Sequence, residues 1–134
     1  MKALIKLVSR GVGLISSPPP KTGGNVWYFS YGSNMNTEVF TKRRKITAQE
    51  VLPCVLPGWC LSFAYDGLPY HEPCFATCCR RDGAGPTYAD APDIEGVALR
   101  ITRGELTRLL ATEGGWGWAD CGGYQLHEVA AVGY

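Results

Sequence analysis

The chain lacks a long apolar run. Its first fifteen residues, MKALIKLVSRGVGLI, are interrupted by Lys6 and Arg10, whereas a helix that crosses a bilayer needs about 20 consecutive apolar residues. Neither a signal peptide nor a helical membrane span is expected. An excess of one charge sign is also missing. Thirteen Lys and Arg oppose twelve Asp and Glu, for a formal net charge of +1, so no global field draws nucleic acid or an anionic membrane. The four-residue run Lys42-Arg43-Arg44-Lys45 reads as a solvated helix end rather than a nucleic-acid patch. The two histidines, His71 and His127, have no ligand or nucleophile at a meaningful spacing, and the six cysteines form no C-x-x-C unit, which leaves no metal reading. A hydrolase elbow is not expected, since Ser33 sits in Tyr-Gly-Ser-Asn without the second glycine of G-x-S-x-G.

What is present is enough for one domain. The chain has 134 residues, 46% of them hydrophobic, which supports a single core and is too short for two ordinary ones. Charge is uneven along it: residues 1–45 carry eight Lys or Arg against Glu38 alone, and the remainder carries five against eleven acids. The basic start and the following SSPPPKTGG segment, rich in residues that favour a solvated chain, predict a disordered leader and linker over 1–24 and a folded domain over 25–134. Six cysteines would permit three disulfides, but Cys78 and Cys79 are adjacent and face opposite ways if the segment is a strand. Free thiols in a reducing compartment are expected. The cytoplasm fits, with a mitochondrial-type presequence as the alternative.

Val26 to Tyr31 is a run of large aromatic and β-favouring residues, as expected of a buried strand. Gly32-Ser33-Asn34 punctuates it, and Asn36 with Glu38 and a basic end at Lys42 to Lys45 predicts a capped helix. Extended segments are expected over Ile46 to Val55, Trp59 to Tyr65 (Trp59, Leu61, Phe63 and Tyr65 sharing one face), Pro73 to Arg80, Ile94 to Ile101 and Tyr124 to Val132, with a turn at Pro57-Gly58. Thr102-Arg103-Gly104-Glu105 matches a capping box opening a helix to about Thr112, which Gly114 and Gly115 stop. The pattern predicts a strand-dominated α+β (mixed α/β) domain.

A strand running through Tyr31-Gly32-Ser33-Asn34 into a helix presents amide hydrogens beside a positive helix end. Gly32 lets a ligand approach the backbone without a Cβ, and Ser33 and Asn34 can add hydrogen bonds. The same residues are also ordinary turn material. Likewise Glu113 is either a solvated residue before a glycine stop or a carboxylate whose ionisation a helix C-terminus and nearby Trp116 and Trp118 oppose.

The segment Tyr28-Phe29-Ser30-Tyr31-Gly32-Ser33-Asn34-Met35 closely resembles the Y-F-x-Y-G-S-N-M/L signature of gamma-glutamyl cyclotransferase domains. Further stretches follow in the expected order: Leu56-Pro57-Gly58-Trp59, Gly67-Leu68-Pro69-Tyr70, Ile94-Glu95-Gly96-Val97, and Glu113-Gly114 with Gly123-Tyr124. They resemble fungal-type members and span about Val26 to Val132.

The resemblance implies a gamma-glutamyl cyclotransferase-like domain, a small mixed sheet or barrel with short flanking helices. It implies a lyase-type enzyme in which the α-amine of a γ-glutamyl group attacks its own γ-carbonyl, giving 5-oxoproline and a free amine or amino acid. Tyr28, Phe29, Ser30, Tyr31, Gly32, Ser33 and Asn34 are then the substrate-binding segment, and Glu113 the catalytic acid/base. Glu95, Glu105 and Asp120 become strand-end, cap and loop residues. No cofactor is needed, because intramolecular ring closure supplies nucleophile and electrophile together. The expected partner is a small γ-glutamyl substrate, with a homodimer as an assembly to test. Two alternatives stand beside this: a cyclotransferase of γ-glutamylamines or glutathione conjugates in secondary metabolism, and a non-catalytic γ-glutamyl-binding domain. Fungal-type relatives extend further after the last strand, so the domain is expected to be incomplete at its C-terminus.

Overall fold

The computed structural model describes residues 1–8, 24–68, 70–83, 86–112 and 124–134. In chain order the elements are β1 (Lys2–Val8), β2 (Asn25–Ser30), α1 (Thr37–Arg44), β3 (Glu50–Leu56), β4 (Trp59–Leu68), β5 (Glu72–Arg80), β6 (Ile94–Thr102), α2 (Arg103–Thr112), β7 (Tyr124–Ala130) and β8 (Val132–Gly133). Short 3-10 turns lie at Ser33–Met35, Arg81–Gly83 and Pro86–Tyr88. The strand-dominated α+β class expected from the pattern is the class observed.

Six strands form one sheet in the order β7-β1-β2-β6-β3-β8, and β4 with β5 forms a separate hairpin. Only the β1–β2 pair is parallel among the described pairings. Strands β7 and β8 stand at opposite ends of the sheet order yet are separated in sequence by Ala131 alone. The sheet therefore curls until its two ends meet at that residue. Ala131 N donates to Met1 O at 2.9 Å, and the Met1 ammonium donates to Ala131 O at 2.7 Å.

Lys2–Val8 corrects the expectation of a disordered leader over 1–24. Its residues pair with both β7 and β2, Leu4 standing opposite Glu128 on one side and Tyr28 on the other. A short basic, apolar segment gives no helix periodicity, but it satisfies its backbone groups fully once a strand stands on each side of it. The linker portion, 9–23, lies outside the described residues.

Each face of the curled sheet has its own core. Phe29, Cys54, Leu56, Ile94, Ala98, Val129 and Ala131 fill the inner face together with Cys78, and half-buried Trp59 and Tyr31 pack against them. On the outer face Tyr28, Leu99 and Ile101 meet Phe40 of α1, Ile46, and Leu106 and Leu109 of α2. Strands β2 and β6 contribute alternate residues to both cores, which explains their nearly continuous apolar sequence. Along β4, Leu61 is 39% and Phe63 57% exposed, while Trp59 packs against the inner core and Cys60 and Ser62 are buried. Burial of the small residues brings the hairpin ladder close to its neighbours, and Ser62 Oγ meets Tyr88 Oη at 3.0 Å.

Gly96 marks a close approach. A Cβ there would lie 2.3 Å from Ser30 O and 2.7 Å from Phe29 Cζ, so the β2–β6 contact at this level admits only glycine.

Candidate active site

The signature segment divides between core and surface. Tyr28, Phe29 and Ser30 are buried at 4%, 0% and 2% exposure, Tyr28 under the helices and Phe29 inside the curl. They hold the turn rather than line an open surface. The Tyr31 ring stacks on Phe29 with centroids 6.4 Å apart. Gly32 and Ser33 are exposed, and a Cβ built at Gly32 would meet nothing within 4 Å. Of the residues the resemblance assigns to substrate, Gly32 and Ser33 are exposed and Tyr31 is half-buried.

Local hydrogen bonds fix that turn. Met35 N donates to Gly32 O at 2.9 Å and Asn36 N to Ser33 O at 3.3 Å, closing a 3-10 turn. Asn36 caps α1 as expected, its Oδ1 accepting from Glu38 N at 2.9 Å and Val39 N at 3.3 Å. These two helix-end amides are occupied by the cap.

Asn34 faces inward, 5% exposed, and its Oδ1 accepts from Arg44 Nε at 3.4 Å. Arg44 also donates through Nη1 to Thr112 Oγ1 at 3.2 Å. One guanidinium thus ties the signature turn to the last residue of α2. The topology explains why these ends coincide. β2 and β6 are antiparallel, with Asn25 opposite Thr102 and Ser30 opposite Val97, and Arg103 N at the start of α2 donates to Gly24 O at 3.1 Å. From there α2, ten residues or about 15 Å long, runs back along the sheet toward the end of β2. The capping box that starts it is complete: Thr102 N donates to Glu105 Oε2 at 2.9 Å, and Glu105 N donates to Thr102 Oγ1 at 3.2 Å.

Arg44 and Thr112 were not singled out by the sequence, where Arg44 is one of four consecutive basic residues. Nothing local distinguishes it from Lys42, which pairs with Glu38 one turn earlier. Glu113, Gly114, Trp116, Trp118 and Asp120 lie outside the described residues. Glu95 accepts from Tyr134 Oη at 2.8 Å, and His71 is exposed on the hairpin turn. Five cysteines, Cys54, Cys60, Cys74, Cys78 and Cys79, carry free thiols. Burial pushes the Cys78 thiol up well beyond its ordinary range, partly offset by a hydrogen bond from Tyr31. Tyr31 is therefore held from two sides, by the Phe29 ring and by β5.

Among curated proteins, the chain is 39% identical over 95 residues to the gamma-glutamyl cyclotransferase aclK of Aspergillus oryzae, covering 67% of this chain and 35% of that protein. It is 33% identical over 101 residues to the gamma-glutamyl cyclotransferase gliK of Aspergillus fumigatus, covering 69% and 37%. By sequence the chain is a relative of the fungal gamma-glutamyl cyclotransferases. A third such relative, the gamma-glutamyl cyclotransferase verK of Clonostachys rogersoniana, is 31% identical over 98 residues, covering 66% of this chain and 54% of its own length. The chain thus spans between about a third and about half of these cyclotransferases. No protein-family model matches it. No solved structure matches it either. Among the described residues no helix is long and apolar enough to cross a membrane, and no group of three or more His, Cys, Asp or Glu is arranged to hold a metal ion.

Proposed function

We propose that the chain carries a gamma-glutamyl cyclotransferase site in which Tyr31-Gly32-Ser33 receives a small γ-glutamyl compound and Glu113 moves the protons. The observation that carries this reading is the Arg44 bridge. It joins Asn34 of the turn to Thr112, and Glu113 is the next residue in the chain. A turn able to hold an acyl oxygen and a residue able to exchange protons are the two components the reaction needs.

In the proposed step the substrate's α-amine nitrogen bonds to its own γ-carbonyl carbon, and the γ-amide C–N bond breaks. The proton lost by the attacking nitrogen passes to the Glu113 carboxylate and from it to the departing nitrogen, so the carboxylate is regenerated. Holding the substrate folded converts ring closure into a reaction of adjacent groups, which removes much of the entropic barrier. Backbone donors of the exposed turn would stabilise charge on the carbonyl oxygen, and the open space above Gly32 admits the approach.

Chromatographic detection of 5-oxoproline from a panel of γ-glutamyl amino acids, γ-glutamylamines and glutathione conjugates tests the proposal and ranks the substrate classes. It is run on this chain and on a version extended to the length of the curated relatives. Product from at least one panel member supports the enzyme reading. Saturable binding without product in both versions would favour a γ-glutamyl-binding domain, and neither binding nor product would overturn the site.

A further inference from the structure

Away from the turn, two redox-capable side chains meet on the hairpin. Cys60 of β4 stands directly opposite Cys79 of β5, and their Sγ atoms are 3.6 Å apart. Each sulfur also lies against the other residue's main-chain carbonyl, Cys60 Sγ at 3.7 Å from Cys79 O and Cys79 Sγ at 4.0 Å from Cys60 O. A disulfide requires sulfurs about 2.0 Å apart and β-carbons about 3.5–4.5 Å apart, and residues directly opposite in an antiparallel pair have β-carbons about 4.5–5.5 Å apart. Closing the gap takes side-chain rotation and a small approach of two strands already in register. The neighbouring Cys78 points away into the core beside Phe29, and Cys74 stands opposite Asp66.

We propose that Cys60 and Cys79 form a modification site, a dithiol that a small-molecule disulfide oxidises to a cross-strand bond clasping β4 to β5. Access is asymmetric, because Cys60 is 0% exposed and Cys79 is half-buried. The Cys79 thiolate attacks one sulfur of the oxidant, whose S–S bond breaks as the first small thiol leaves. Cys60 then attacks the Cys79 sulfur of this mixed disulfide and expels the second small thiol. Two protein thiols become one disulfide, and their two protons and two electrons leave with the oxidant as two thiols. Burial and the adjacent Cys60 push the Cys79 thiol up to about 11, so the thiolate is scarce at neutral pH and the first step gains about tenfold per pH unit below that value. The clasp adjoins the turn, since Cys78, next to Cys79, accepts a hydrogen bond from Tyr31.

The test is to expose the folded chain to oxidised glutathione at about pH 9, block remaining thiols with N-ethylmaleimide under denaturing conditions, digest without reductant and map linked peptides by mass spectrometry. The expected result is one Cys60–Cys79 linkage, a loss of two hydrogens, and alkylation of the other four cysteines, with a rate about tenfold lower at pH 8. Cys60→Ser should stop at glutathione on Cys79, and Cys79→Ser should leave Cys60 unmodified over the same period. A linkage between another pair, six alkylated thiols after prolonged exposure, or glutathione on Cys60 in Cys79→Ser would each overturn the proposal. The wild-type map does not depend on either variant folding, and it reads a covalent bond whether or not the chain forms 5-oxoproline.

Discussion

The Nη1 of Arg44 lies 3.2 Å from Thr112 Oγ1, joining the end of α1 to the end of α2 across 68 positions of sequence. The same guanidinium holds Asn34. Its loss should therefore act on two segments at once. Arg44→Met keeps most of the length and bulk but removes the donors. It should lower stability by roughly 0.5–1.5 kcal/mol in a urea titration and cut 5-oxoproline formation by about ten- to a hundredfold, because small displacements of reacting groups are costly. Wild-type turnover in this variant would show that the bridge does not position the site.

Glu113→Gln keeps the size of the side chain and most of its hydrogen-bonding capacity while removing proton exchange. Folding and substrate binding should persist, and turnover should fall by roughly two to four orders of magnitude. The comparison is made by 5-oxoproline assay in whichever length of the chain is active. A near wild-type rate would remove Glu113 from the mechanism.

Two glycines should respond in opposite ways to the same substitution. Gly96→Ala drives a methyl group into Ser30 O and the Phe29 ring, so it should cost roughly 1–3 kcal/mol or more and lower the melting temperature. Gly32→Ala meets nothing within 4 Å and should change stability by less than about 0.5 kcal/mol. It should instead weaken substrate binding at the exposed turn, seen as a raised KM. Equal effects on stability would contradict the close packing at Gly96.

Removing residues 1–8 deletes a strand that pairs on both sides, with β7 and with β2. It also removes the Met1–Ala131 contact where the ends of the sheet meet. Cooperative thermal unfolding, followed by circular dichroism, should be lost or moved to a much lower temperature. An unchanged melting curve would show that these residues add nothing to the sheet.

Alkaline pH should loosen the fold through the thiols of Cys79, Cys78 and Cys54. Burial raises Cys79 from its ordinary value of 9.0 to about 11, and it raises Cys78 and Cys54 as well. Over that window the folded state holds thiol protons that the unfolded chain has released. The stabilisation is complete below about pH 9 and is lost as pH rises through about 11. Urea midpoints measured with reductant present should be flat from neutral pH to about 8 and fall above 9. Cys79→Ser should fall less steeply.

Much of the fold was legible because it rests on local chemistry. The Asn36 cap, the Thr102–Glu105 capping box, the Pro57-Gly58 turn and the strand at Ile94 each depend on residues within a few positions of one another, and each stands where the pattern put it. The family resemblance was carried by the same kind of short, contiguous signal at Tyr28 to Met35. What only the tertiary structure decided involves partners far apart in the chain. β1 is a strand because β2 and β7 flank it. Cys60 meets Cys79 because of the hairpin register, and Arg44 differs from its basic neighbours only because α2 returns to the turn. Hydrogen bonds and packing act between atoms a few ångströms apart, so a sequence reports directly on the contacts its own local geometry makes. The rest becomes determined when the chain closes its sheet, and the inward burial of Tyr28 and Phe29, which leaves Gly32 and Ser33 exposed, is settled at that stage.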